Sequence, residues 1–204
     1  MILELDIFSK DYQGGNGGIC GDAYLRLLDL CFAHADYFSL CDENPAEWKT
    51  IPNTVEDLLM PYRKKTLKTR QWFGYFSTEP PLTVSLYQAN EETKRILSAC
   101  YSDLFFENQK KVPKKHVEQI GRDFVHLQRP EDLCFFKDRR IFFGTVSHEL
   151  ICTADCPDEA FETELRALAP FREPQPVRDH TPLPWRGRAV EIPKEPLDGW
   201  KVFL

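Results

Sequence analysis

The stretch from Leu133 to Ala154 constrains the fold more than any other part of the chain. It holds three short runs rich in aromatic, β-branched and aliphatic residues: Leu133 to Phe136, Ile141 to Val146 and Glu149 to Ala154. Side chains of these kinds fill a pleated, half-buried surface, so the runs read as strands. Lys137-Asp138-Arg139-Arg140 separates the first from the second, and Ser147-His148 the second from the third. Connections this short join antiparallel neighbours, because parallel strands need a crossover of a dozen or more residues. The segment is therefore an antiparallel meander, and it points to an α+β fold.

The remaining elements fit around it. Residues 72 to 77 and 82 to 88 read as two strands parted by Glu79-Pro80-Pro81, and Tyr37 to Leu40 as a short one. Tyr24, Leu27, Leu28, Cys31 and Ala35 recur at helical spacing behind Asp22, which is placed to cap that helix. Asn90 caps a second helix, with Ile96, Leu97, Cys100, Tyr101 and Leu104 on one face. Pro157 is expected at the first position of a third, with Asp158, Glu159 and Glu162 early in it and Phe161, Leu165 and Leu168 as its apolar face. A short helix is expected from Thr54 to Met60, stopped by Pro61, and another around His116 to Ile120. The expectation is one α+β domain over residues 1–169. Its antiparallel sheet has about five strands, consistent with common sheet sizes, packed by about three main helices. Residues 170–204 are expected to form an extended Pro-rich arm: seven of the fifteen prolines lie there, which forbids helix or central strand. Trp185, Trp200, Val202, Phe203 and Leu204 argue that the arm is docked.

Composition narrows the functional classes. The chain has 204 residues, of which 42% are hydrophobic and 13% aromatic, too apolar for disorder. Its net charge of −6 gives no general attraction to nucleic acid or anionic membrane. That figure conceals an uneven distribution. Residues 1–60 hold three bases and eleven acids, residues 61–140 sixteen bases and ten acids, and residues 141–204 seven bases and eleven acids. Nothing resembles a charge-free run of the roughly 18 residues that span a bilayer. Glu4 and Asp6 interrupt the opening apolar stretch, and no basic segment precedes it, unlike a secretory signal. A cytoplasmic protein is expected. The seven cysteines, odd in number and mostly flanked by apolar residues, read as free thiols.

Four groups of residues are candidates for chemistry. His148 and Glu149 with Cys152 and Cys156 offer zinc-type ligands, since 148, 152 and 156 would share one face of a strand. A spacing of four along a strand separates ligands by ~13 Å, so one ion would require a sharp bend; a structural histidine with Cys152 in the core is the simpler reading. The same residues could form a thiol site, His148 serving as base and Cys156 gaining acidity from a helix N-terminus. The glycine-rich loop before Asp22 lacks the Lys-Ser/Thr ending of a phosphate loop and reads as a connection. Finally, Arg63, Lys64, Lys65, Lys68 and Arg70 lead into Trp72 and further aromatics. Bases beside aromatics can bind nucleic acid by phosphate contact and stacking. They suit an acidic protein partner equally well, and aromatics on both faces of 72–76 favour burial over stacking.

The segment Pro130-Glu131-Asp132-Leu133-Cys134-Phe135-Phe136, followed by Thr145-Val146-Ser147-His148-Glu149, resembles a family of small Gram-positive bacterial proteins. Members show a P-E-D-L-x-F-F strand, a T-x-x-H-E turn and an acidic helix; some carry a sporulation label, and none has an assigned reaction. The resemblance implies a small single-domain α+β protein, with His148 and Glu149 as a structural or partner-contact pair. Similar small acidic bacterial proteins include immunity proteins that neutralise toxins. The expected function is non-catalytic protein binding in the cytoplasm, without cofactor or membrane. The contact surfaces would be the basic segment Arg63, Lys64, Lys65, Lys68, Arg70 and Trp72, and the acidic helix near 158–164. A metal- or thiol-dependent enzyme and a nucleic-acid binder through 63–76 are the alternatives.

Overall fold

The three runs of the meander pair as antiparallel neighbours in the computed structural model, which describes residues 1–13, 18–42, 55–73, 75–76, 81–105 and 130–174. They are β7 (Glu131–Lys137), β8 (Arg140–Val146) and β9 (Ile151–Asp155). The turn between β7 and β8 places Asp138 and Arg139 at φ 47° and 68°, with Lys137 opposite Arg140. Two left-handed central residues make the mirror-type turn whose twist matches a hairpin. Asp36 pins it: its carboxylate accepts from the Asp138 N–H and from Lys137 Nζ, both at 3.0 Å. Burial alone would raise the Asp36 pKa, but these donors outweigh it and hold the carboxyl below the ordinary aspartate range.

The sheet grows on both sides of the meander. Beyond β7 come β2 (Tyr37–Asp42), β6 (Leu82–Gln88) and β3 (Arg63–Thr69); beyond β9 come β1 (Ile2–Leu5) and β10 (Phe171–Arg172). The order is β10-β1-β9-β8-β7-β2-β6-β3, with every pair antiparallel. Among the described residues the sheet thus has eight strands rather than five. β1, β3 and β10 are the additions, and the described part of the expected 72–77 strand, Trp72 and Tyr75–Phe76, does not join it. Instead β4 (Gln71–Trp72) and β5 (Tyr75–Phe76) pair with each other as a two-stranded ribbon. The first residues of the expected arm are β10, where Phe171 is buried; residues 175–204 lie outside the described residues.

Five helices complete the described fold: α1 (Lys10–Gln13), α2 (Asp22–His34), α3 (Val55–Leu59), α4 (Glu91–Cys100) and α5 (Glu159–Leu168). One face of the sheet is covered by them. Tyr24, Leu27, Leu28 and Cys31 of α2, Ile96, Leu97 and Cys100 of α4, and Phe161 and Leu165 of α5 pack with Leu3, Phe38, Tyr87, Phe135 and Phe143 of the strands. The helical stripes therefore bury the residues their spacing indicates. Asn90 closes a reciprocal cap with Thr93, each side chain bonding the other's backbone N–H at 2.9–3.0 Å. Two expected caps differ. Gly21, at φ 55°, is the cap of α2, and Asp22 is its first helical residue with no capping bond. Asp158 caps α5 and Glu159, not Pro157, is its first residue: the Asp158 carboxylate accepts from the Phe161 N–H at 2.8 Å, and Pro157 lies before the cap. Pro61 lies within a 3-10 turn (Met60–Tyr62) that extends α3 rather than ending at Met60. The expected helix near His116 lies outside the described residues.

The opposite face closes over a smaller core of Cys41, Trp72, Leu82, Val84, Leu86, Cys134 and Phe136, with Phe73, Leu67, Tyr37 and Ile141 at its margin. Trp72 is 1% exposed and its ring lies 6.4 Å from that of Phe136. The far end of the Phe73 ring lies against β8 at Gly144, where a Cβ would meet it. Among the described residues, no helix is long and apolar enough to cross a membrane.

Candidate functional site

β3 is an edge strand. It pairs with β6 along one side, and among the described residues it has no strand on the other. Arg63, Lys64, Lys65, Thr66 and Lys68 are all exposed, and only Leu67 and Thr69 are partly covered. Position in the sheet explains the composition. An edge strand buries little, so one inward leucine suffices, and threonine supplies β preference without needing a core. The register sets the faces: Lys65, Leu67 and Thr69 lie opposite Leu86, Val84 and Leu82 on the side of the smaller core. Thr66 and Lys68 lie opposite Ser85 and Thr83 on the helix side, where the Thr66 and Ser85 hydroxyls bond at 3.2 Å. A register shift falls between Arg63 and Lys65. Positive charge thus lines both faces of the edge, and among the described residues Arg63, Lys64, Lys65 and Lys68 form no ion pair.

Arg70 is exposed just beyond the strand, whereas Trp72 is not on this surface. Its indole fills the core behind β3 and β6, so it holds the strand in place rather than facing a partner. Stacking of a base on Trp72 would require the smaller core to open.

The His148 group is not assembled as a site. Ser147–Glu149 forms a 3-10 turn and Leu150, at φ 56°, leads into β9. His148 therefore precedes the strand, and the two-residue alternation that would align it with Cys152 does not apply. His148 and Glu149 are about half exposed and lie beside each other, Nε2 to Oε1 3.9 Å. Cys152 is 1% exposed in the helix-side core, and burial first, then the neighbouring Cys134 thiol, pushes its pKa well up. Cys156 is also raised. Burial is the largest cause; Glu162 and Asp155 add to it, against the N-terminal ammonium and Arg166. At the start of α5 it is the Asp158 carboxylate that accepts from the Phe161 N–H, and the balance of burial and charge around Cys156 disfavours its thiolate. Among the described residues, no group of three His, Cys, Asp or Glu side chains is placed to hold a metal ion.

Sequence reasoning missed the group that positions this turn. Asp132 sits at a bulge where two β7 residues oppose one in β2, at φ 53° and 1% exposed. Its carboxylate accepts from the Ser147 N–H at 2.7 Å, and the Ser147 Oγ accepts from the Asp132 N–H at 3.3 Å. Glu131-Asp132-Leu133 is therefore the sequence of a bulge, clamped through Asp132 to Ser147. The acidic helix α5 presents Glu159 and Glu164 to solvent, while Glu162 is engaged by Arg166 Nε at 2.9 Å. The chain matches no protein-family model, no curated protein and no solved structure.

Proposed function

We propose that this protein is a non-catalytic binding protein of the cytoplasm that engages an acidic protein partner through the basic edge strand β3. One observation carries the reading: four exposed bases, free of ion pairs among the described residues, stand on one edge of a chain whose net charge is −6. Uncompensated charge of one sign on a rigid strand steers and selects an oppositely charged partner. The burial of Trp72 favours a protein over a nucleic acid, since it removes the stacking platform that single-strand recognition uses. The likeness to small acidic immunity proteins makes a toxin the first class of partner to examine. The resemblance to the Gram-positive family supports this reading only in that it brings no reaction with it.

The test is co-purification at native expression with the intact chain and with its Lys64→Glu/Lys65→Glu/Lys68→Glu variant. The reading expects one protein recovered in fixed proportion with the intact chain, released by salt, and lost with the variant. Recovery of no stoichiometric protein, or equal recovery with both chains, would overturn it.

A further inference from the structure

We propose that the edge of β3 left unpaired among the described residues accepts an extended acidic segment of the partner as an added antiparallel strand. This mode of contact rests on the reading of β3 as the contact surface, and it specifies the geometry and the sequence of what binds there.

The two edges of the sheet are protected differently. β10 has two residues, too few to template a strand. β3 has seven, and from Lys65 to Thr69 its register with Leu86 to Leu82 is one to one. That is ~17 Å of regular edge, with backbone N–H and C=O groups directed outward. Natural sheets guard such edges with short strands, bulges, prolines or charge. Here the strand is long, its register shift lies at one end between Arg63 and Lys65, and it contains no proline. Among the described residues, positive charge is the remaining guard, and it is a selective one. Pairing with a second copy of β3 would set a strand with four bases against another, which cross-strand repulsion disfavours. A strand carrying acids meets no such barrier.

The register specifies the acids. Residues directly opposite in an antiparallel pair share a face. Lys65 and Leu67 lie on the smaller-core face, Thr66 and Lys68 on the helix face. An added strand read from its N-terminus therefore places an acid opposite Lys68, an apolar β-branched residue opposite Leu67, a small hydroxyl residue opposite Thr66 and an acid opposite Lys65. The pattern is Asp/Glu-Val/Ile-Thr/Ser-Asp/Glu. Its two acids, three apart, point to opposite faces, as the two lysines do. Main-chain bonds supply the affinity in this mode and the alternate side chains the selectivity.

The experiment titrates the full chain with a synthetic peptide holding Glu-Val-Thr-Glu in a threonine-rich frame. The comparison peptides are a Lys-Val-Thr-Lys version and two acidic versions N-methylated on alternate backbone amides, one set for each edge. The acidic peptide should bind, and the lysine version should be weaker by about tenfold or more. One of the two N-methylated peptides should lose binding to a similar extent while the other keeps it, because only one edge meets β3. Lys65→Glu/Lys68→Glu, at two exposed positions, should reverse the preference between acidic and basic peptides with an unchanged melting temperature. Equal binding of both N-methylated peptides overturns strand addition but leaves β3 as an ionic contact surface. No binding of the acidic peptide at millimolar concentration also overturns it, and co-purification decides the broader reading separately.

Discussion

Replacing Gly144 by alanine tests how the smaller face of the sheet is closed. Gly144 lies in β8 opposite Cys134 and Thr153, with ordinary strand backbone, so its conformation does not demand glycine. What demands it is Phe73: a Cβ at 144 would stand 2.8 Å from Cε2 of that ring, with Cζ and Cε1 closer still. The ring or the strand must move. Forcing one extra methyl into a packed contact costs about 1–3 kcal/mol. Alanine in a strand recovers about 0.5–1 kcal/mol of backbone entropy relative to glycine. The net expectation is a loss of about 1–2 kcal/mol, read by urea denaturation. The decisive variant is Gly144→Ala combined with Phe73→Ala. With the ring gone, the alanine has room, and its effect should change sign to a gain of about 0.5 kcal/mol. The two substitutions would then be coupled by ~2 kcal/mol in a double-mutant cycle. Simple additivity would show that Phe73 does not lie on Gly144 and would refute the reasoning.

Three further outcomes follow from the core and its turns. Ser147→Ala removes the acceptor of the buried Asp132 N–H and should cost about 1–3 kcal/mol of unfolding free energy; a cost below a few tenths would remove the clamp from the account. Asp36 has its pKa lowered on folding, so its stabilising share is present above the ordinary aspartate value of about 4 and is lost as pH falls through the lower folded value. Asp36→Asn should therefore flatten the acid limb of the stability–pH curve, and an unchanged slope would count against the turn being pinned there. Cys20 is partly exposed and the other six cysteines are buried, so a thiol reagent should modify Cys20 quickly and the rest only on unfolding. Fast modification of Cys152 in the native protein would place it outside the core and revive a thiol site.

The sequence showed most where one local signal was sufficient. The meander was legible because its runs and its four-residue turn agree, and α2 and α4 because their apolar stripes are long. β1 was missed because only Leu3 and Leu5 turn inward, too short an alternation to stand out, although the strand lies inside the sheet. β3 reads as a charged segment because an edge strand carries so little apolar content. The same property hid its role: bases beside a tryptophan looked like one surface, yet the tryptophan turns back beneath the sheet while the bases stay outside. At the His148 group, the Leu150 left-handed turn breaks the alternation that linear spacing assumed. At the start of α5, Cys156 and Asp158 both stand near the helix amides, and it is the Asp158 carboxylate that reaches the Phe161 N–H, which linear order does not reveal.

Amide hydrogen exchange along Lys65–Thr69 tests the central claim most directly. In the free chain, amides on the outer side of β3 should exchange quickly, alternating with the slower ones bonded to β6. At saturating acidic partner segment, the outer set should slow by about tenfold or more while β10, at the far edge, keeps its rates. Uniform exchange along β3 that the acidic segment leaves unchanged would contradict the account.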